Sequence, residues 1–588
     1  MIRSNRSWDL RGLLVLAGAL LVSPMTPQPT YAIWPQFGRA LTTDLGDQAS
    51  PVIAADGLGG GIVAWVDRRS PIVNLFAQRV LATGEVDAAW PPGGRMLLTD
   101  PQALANALEP PAFPVIATDG ARGAIVVWQQ SRNGATSTDI FAQHVLSSGA
   151  VDGAWPTNGV VLCAIEGIQD IPEVISDGAG GAIVTWMDGR PGSTVVDVYA
   201  QHVLNSGLVD PNWPTNGVAV CTAAGFQAFP KIVEDGAGGA IVTWYDLRSS
   251  VTGIDIFAQH VLSSGVVDPA WPVNGTALCT AARNQFNPAI VSDGAGGAIV
   301  TWLDARDNTS HIFAQRVLAS GSVDPAWPAD GSAVCLAPIE QVDPVIASDR
   351  AGGAIVAWRD ARSFVAHNMF AQHVLASGSV DPAWPIDGTA LSLLTTEQSS
   401  PAIVSDGGGG ALVTWQQDLD IYTQHVLASG LLDGAFPANG LPICTLPSTQ
   451  QTPAMGGAGS RTVVAWSDQR SGTDFDIFAM QVRAAVAVDV EDTPTSHRIR
   501  FAPPNPSPTR GPVTLRFALP RMAPLRLSIY AATGRRVRDI ATGAHNAGEH
   551  EVAWDLRDEA GRSVVGGIYF ARLETAGHVL VRKIAVLK

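Results

Sequence analysis

One segment, typified by SDGAGGAIVTW, returns about every 57 residues, with its tryptophan at Trp65, Trp128, Trp186, Trp244, Trp302, Trp358, Trp415 and Trp466. A repeat of this length is one supersecondary unit that cannot bury its apolar face alone, so neighbouring units must stack. A second aromatic series, in the AWPxxG segment, runs through Trp34, Trp90, Trp155, Trp213, Trp271, Trp327, Trp384 and Phe436. Only Trp8 and Trp554 among the 17 tryptophans lie outside the two series, so the aromatic content of the chain is spent on the repeat.

Each unit divides into four short β segments separated by turn residues. In the fourth unit these are PKIVED, GGAIVTWYD, DIFAQHVL and WPVNGTALCT, with DGAGG and SSGVVDPA between them. β-Branched and aromatic residues fill the segments and Gly, Asp and Pro fall outside, which predicts a four-stranded antiparallel meander. The array opens at IWPQFGRAL, which matches a fourth segment, and its last copy stops after a third, DIFAMQV. An N-terminal strand that completes the last sheet would remove two open edges at once. The expected fold is therefore all-β. It is an eight-bladed β-propeller over residues 33–484, closed by the N-terminal strand, then a linker over 485–500 and an Ig-like β-sandwich over 501–588. The eight tryptophans of the first series are expected to fill the layers between blades.

Residues 1–32 read as a signal peptide: Arg3, Arg6 and Arg11 precede an apolar run from Leu13 to Val22, and Thr30-Tyr31-Ala32 offers a cleavage site. That run is shorter than the roughly 20 residues a spanning helix needs, so a secreted or cell-surface protein without a membrane span is expected, as a monomer. The 53 acidic residues outweigh 37 basic ones, giving a formal net charge of −16, and no dense Lys/Arg stripe interrupts this, which excludes nucleic acid as a partner. Cys163, Cys221, Cys279, Cys335 and Cys444 occupy one place in successive units. Equivalent sites on separate sheets exceed the roughly 7 Å Cα limit for a bridge, so these are read as small buried residues.

Polar motifs that recur from unit to unit point to the frame rather than to chemistry, because a catalytic centre must break the symmetry. Asp-x-Arg follows the tryptophan at Asp67/Arg69, Asp188/Arg190, Asp246/Arg248, Asp304/Arg306, Asp360/Arg362 and Asp468/Arg470. His144, His202, His260, His373 and His425 share one third-strand position with Arg79 and Arg316. Ring-related imidazoles on separate blades cannot converge to the roughly 2 Å ligand distances of zinc. A glutamine recurs in QxxP at Gln48, Gln169, Gln227, Gln285, Gln341, Gln398 and Gln450, placed to cap backbone groups.

The loops after the tryptophan strand and between units vary: DARDNTSH around Asp304, RDARSFVAHN around Arg359, and TDPQALANALEPPAF from Thr99. Variable loops on a rigid frame are where binding groups sit. Their repeat-breaking residues are the candidate ligand-binding set: Glu166, Asp170, Glu340, Asp343, Glu397, His311 and His367, with Glu173 beside them. No catalytic residue and no metal ligand is assigned. No cofactor is expected either; DGxGG lacks the alternating carboxylates of a calcium loop, which leaves calcium open but unsupported.

After about Arg483 the repeat ends and a Pro-rich stretch leads into new strands. PNPSP, IYAATGRRVR, GEHEVAWDLRDEAGRSVVGGIYFARLE and the final RKIAVLK resemble the C-terminal sorting domain of type IX-secreted bacterial proteins, and equally the Ig-like module of the flagellar hook-capping family. The DGxGGxIVxW repeat is similar to that of secreted bacterial proteins carrying such tails. The resemblance implies delivery outside a Gram-negative-type envelope and a tail read by secretion machinery. The function expected on this basis is a non-catalytic, non-enzymatic extracellular binding or adhesion protein, its loops presented to a glycan or protein ligand. The alternative is a glycan-cleaving hydrolase or lyase, and the meeting of two loop acids in one site would favour it.

Overall fold

The computed structural model describes residues 34–484 and 500–587, apart from 71–72, 99–111, 132–136, 192–194, 460, 473, 502–503, 505–507, 520–522, 546–547 and 576–577. The expected signal peptide, the linker and most of the loop from Thr99 lie outside the described residues. Among those described, all regular structure is β and no helix is long and apolar enough to cross a membrane.

The repeat region folds into eight four-stranded antiparallel sheets. In the fourth, Gln227–Glu234, Ala240–Ser249, Gly253–Val261 and Thr276–Cys279 pair in chain order. Apart from half-buried Tyr245 and the ends facing their connecting loop (247–249 and 253–254), the second and third strands are buried, as continuous apolar runs such as AIVTW predict for a strand covered on both faces. Trp244 and its seven equivalents are fully buried, each in a cluster shared by two consecutive sheets. First strands of consecutive sheets lie side by side, and that of the first sheet also packs on that of the eighth.

The eighth sheet takes its fourth strand from the other end of the chain: Arg39–Ala40 pairs with Asp476–Arg483, Arg39 opposite Ala479 and Ala40 opposite Phe478. Trp34 then occupies the place that Trp213 fills elsewhere. Gly265 shows what that place demands: it sits at φ +79°, and a Cβ there would come within 2.6 Å of the Trp213 ring. Gly84 meets Trp34 in the same way.

One expectation about strand limits changes. WPVNG does not open the fourth strand but forms a turn before it, because Trp271 turns its Nε1–H to the Ala319 carbonyl of the next unit (3.2 Å). The second tryptophan series is thus a seam between units. The five cysteines are free and buried, and burial pushes each thiol up to about 12, which keeps it protonated.

The C-terminal residues form a second β structure with its own core. A three-stranded sheet (Arg500–Phe501, Val513–Leu519, Gly548–Trp554) and a four-stranded sheet (Ala523–Ala531, Arg536–His545, Gly567–Thr575, His578–Val586) enclose Phe517, Leu527, Trp554 and Leu573.

Candidate active site

The repeated charges are consumed inside the frame. In the first sheet Trp65 Nε1–H donates to Asp67 (2.8 Å), and the Arg69 guanidinium grips both oxygens of that carboxylate (2.8 and 2.6 Å). Arg69 also lies 3.9 Å over the Phe76 ring and donates to the Gly93 carbonyl, tying the second strand to the turn before the fourth. Arg470 repeats this in the eighth sheet by donating to Phe37 from the N-terminal segment (2.8 Å). Where Gln130 and Gln417 replace the aspartate, their amide oxygens accept the tryptophan N–H. The third-strand histidines are clamps: His260 bridges Asp268 (2.8 Å) and Asp235 (3.0 Å), which belong to the two turns at one end of the sheet. Arg79 and Arg316 span the equivalent aspartates.

At the opposite end the backbone prepares an asymmetric rim. Every first strand carries a β-bulge near its start, within the Gln-x-x-Pro motif in seven of the eight sheets, and the residue before the proline lies in the left-handed region. These are Ser50, Phe113, Ile171, Phe229, Asn287, Asp343, Ser400 and Thr452, all with φ between 48° and 54°. Non-glycine residues seldom adopt that conformation, and pre-proline residues normally stay extended. A bulge re-aims one side chain, so each sheet presents one variable residue here. A second variable position follows the tryptophan on the adjacent strand: Arg359 lies beside the bulge in the sixth sheet and Tyr245 in the fourth.

In the sixth sheet these positions hold Asp343 and Arg359, and loops from the sixth and seventh sheets bring three more functional groups to them. Arg359 Nη1 meets Asp343 at 2.7 Å and Nη2 meets Glu397 at 2.5 Å. Glu397 in turn accepts from His367 Nδ1 (2.8 Å) and from the His367 backbone N–H (3.1 Å). His367 Nε2, shielded from solvent, lies 3.5 Å from Glu340 Oε1. The three carboxylates remain about half exposed. Burial pushes the Glu397 carboxyl up, but the His367 N–H and the Arg359 guanidinium outweigh it and hold it below the usual carboxylate range. Burial alone would lower the Arg359 guanidinium, and Asp343 and Glu397 raise it instead.

Four of the seven sequence candidates, Glu340, Asp343, Glu397 and His367, are thus brought together. Glu166 and Asp170 belong to the third sheet, Glu166 exposed on the loop that enters it. His311 leaves the candidate set as a surface group: it is buried, donating through Nδ1 to Gln341 (2.8 Å) with Asp307 at Nε2 (3.1 Å). Its partner Gln341 is one of the recurring glutamines, whose amides turn to entry-loop carbonyls, as Gln227 does to Gly225 (2.9 Å). Arg359 is the residue that sequence reasoning missed, although variation at the position after the tryptophan marks it.

Among solved structures similar to the chain, an α-L-arabinanase from Penicillium chrysogenum is 12% identical, with 54% of this chain and 93% of that chain covered and a TM-score of 0.32. The polysaccharide lyase Uly1 is 8% identical, with 76% and 91% covered and a TM-score of 0.39. An endo-arabinase from Bacteroides thetaiotaomicron is 13% identical, with 50% and 99% covered and a TM-score of 0.27. No curated protein matches in sequence. The expectation of a protein without enzymatic activity is corrected here. Glu340 and Glu397 both reach His367, and Asp343 and Glu397 share Arg359, which is the meeting of loop acids that favours the alternative. At the C-terminal end, residues 507–577 match the family model of the FlgD Ig-like domain.

Proposed function

We propose that residues 34–484 form an eight-bladed propeller closed by the N-terminal strand, and that its rim between the sixth and seventh blades cleaves a glycan by hydrolysis. Pairing of Arg39–Ala40 with Asp476–Arg483 supports the ring. The observation that carries the activity is the convergence of Glu340, Asp343, Glu397, His367 and Arg359 at positions where the repeats differ. Glycosidic hydrolysis needs one carboxylic acid to protonate the leaving oxygen and a second carboxylate to activate water or attack the anomeric carbon. In this reading Glu340 is the proton donor. The proton that the second carboxylate takes from water leaves to solvent, and one from solvent is passed back to Glu340 by His367, which Glu397 orients through Nδ1 so that Nε2 faces Glu340. Asp343, ion-paired with Arg359, is the second carboxylate.

Release of reducing ends from arabinan, polygalacturonate and xylan tests this. Glu340→Gln and Asp343→Asn are expected to lower turnover at least about 100-fold, in line with general acid–base contributions, while leaving the melting temperature unchanged. Unsaturated chain ends in place of simple reducing ends would mean elimination instead, and no release from any polysaccharide would remove the cleavage reading.

We also infer export through residues 1–32, with the Ig-like domain acting as a tail for secretion machinery of the type IX kind. The Arg-flanked apolar segment from Leu13 to Val22 supports the first step and the motifs GEHEVAWDLRD and RKIAVLK the second. Recovered extracellular protein should begin near Ile33, and truncation after residue 500 should retain it in the cells.

A further inference from the structure

We propose that Phe229 and Tyr245 form a stacking subsite for a sugar ring on the same rim, a proposal that rests on the reading of that rim as glycan-directed. The two residues occupy in the fourth sheet the positions that Asp343 and Arg359 occupy in the sixth. Phe229 is the bulge residue, at φ +52°, and remains 42% exposed. Tyr245 stacks against it, with ring centroids 5.3 Å apart and planes inclined by 29°. Burial raises the Tyr245 phenol above its ordinary value, so the hydroxyl stays a neutral donor, and it has no hydrogen-bond partner among the described residues.

The frame does not require this pair. The equivalent positions hold Ser50 and Val66 in the first sheet, Asn287 and Leu303 in the fifth, and Ser400 and Gln416 in the seventh, and the same sheet forms around each. What two rings at a water-exposed rim supply is an apolar platform with a polar edge. The C–H face of a sugar, weakly positive, complements the negative face of an aromatic ring, and a phenol hydroxyl can bond a ring substituent. Lys231, two residues after Phe229, pairs with Glu173 of the third sheet, so the neighbouring cation is neutralised and the platform suits an uncharged sugar residue. The subsite and the carboxylate cluster lie two sheets apart in chain order, as separate positions along one bound chain would.

The test replaces the pair by the residues of the first sheet, Phe229→Ser with Tyr245→Val, in the full chain. Native-gel retardation by the uncharged polysaccharides arabinan and xylan gives the dissociation constant, and reducing-end release is measured in parallel. The expected result is at least a fivefold weaker dissociation constant and a matching rise in KM, with kcat and melting temperature unchanged. An unchanged dissociation constant overturns the subsite even where cleavage is observed. Absence of retardation of the unaltered protein by both polysaccharides also overturns it. Retardation that depends on the pair without release of reducing ends supports the subsite and removes hydrolysis.

Discussion

Each of the five recurring histidines bridges two aspartates, and this makes the frame sensitive to pH in a definite direction. Burial pushes the five imidazoles down, but hydrogen bonds to both aspartates outweigh it and raise them above their ordinary 6.5. Their contribution to stability is fully present below 6.5 and is lost as pH climbs through the raised value. The partner carboxyls Asp119, Asp177, Asp235, Asp349 and Asp406 are lowered below 3.8, burial being outweighed by the histidine and by backbone N–H groups. Their share is present above 3.8 and fades as pH falls through the lowered values. The melting temperature should therefore be highest between these limits and fall on the alkaline side. Arg79 and Arg316 make the same bridges, and a guanidinium as a residue type stays charged across the working pH range of proteins, so His→Arg changes at all five positions should flatten the alkaline limb of the melting curve. Trp244→Ala should cost about 3–5 kcal/mol, as for other fully buried aromatic residues, and denaturant melts measure it. At this scale the sequence separates frame from exception well, since Glu340, Asp343, Glu397 and His367 stand out by breaking the repeat. It cannot pair them, because their meeting depends on how loops of two sheets turn. Arg359 escapes notice because RDAR reads as part of the Asp-x-Arg motif, whereas it is Arg362 that binds Asp360.

The sheet as an element explains why the termini must meet. Without Arg39–Ala40 the edge of Asp476–Arg483 is left with unpaired N–H and C=O groups, a template for association with another chain. Deleting residues 34–45 should raise the apparent mass in light scattering and lower the melting temperature, and an unchanged apparent mass would contradict the role given to this strand. Strand number and order are legible from turn chemistry: DGAGG and SSGVVDPA punctuate the unit where the chain reverses. The WPxxG turn is not, because Trp271 has strand-like chemistry and its place is fixed by an acceptor in the next unit. Nor is the bulge, since an X-Pro step ordinarily argues for extended backbone.

For the whole molecule, the apolar clusters divide cleanly. One contains only residues from Phe501 to Val586, and the others run from sheet to sheet through the repeat region, the last linking the eighth sheet with the first. Two separately cooperative units follow, so calorimetry should resolve two transitions, and Leu527→Ala should shift only the one belonging to the Ig-like domain. The division is visible in the sequence because the tryptophan spacing stops where the new strand pattern starts. The recurring bulge has a wider consequence. Its backbone takes one left-handed shape whether it carries Ser50, Phe113, Asn287 or Asp343. The eight sheets therefore present eight equivalent sockets, in which single residues can be exchanged while every strand keeps its neighbours.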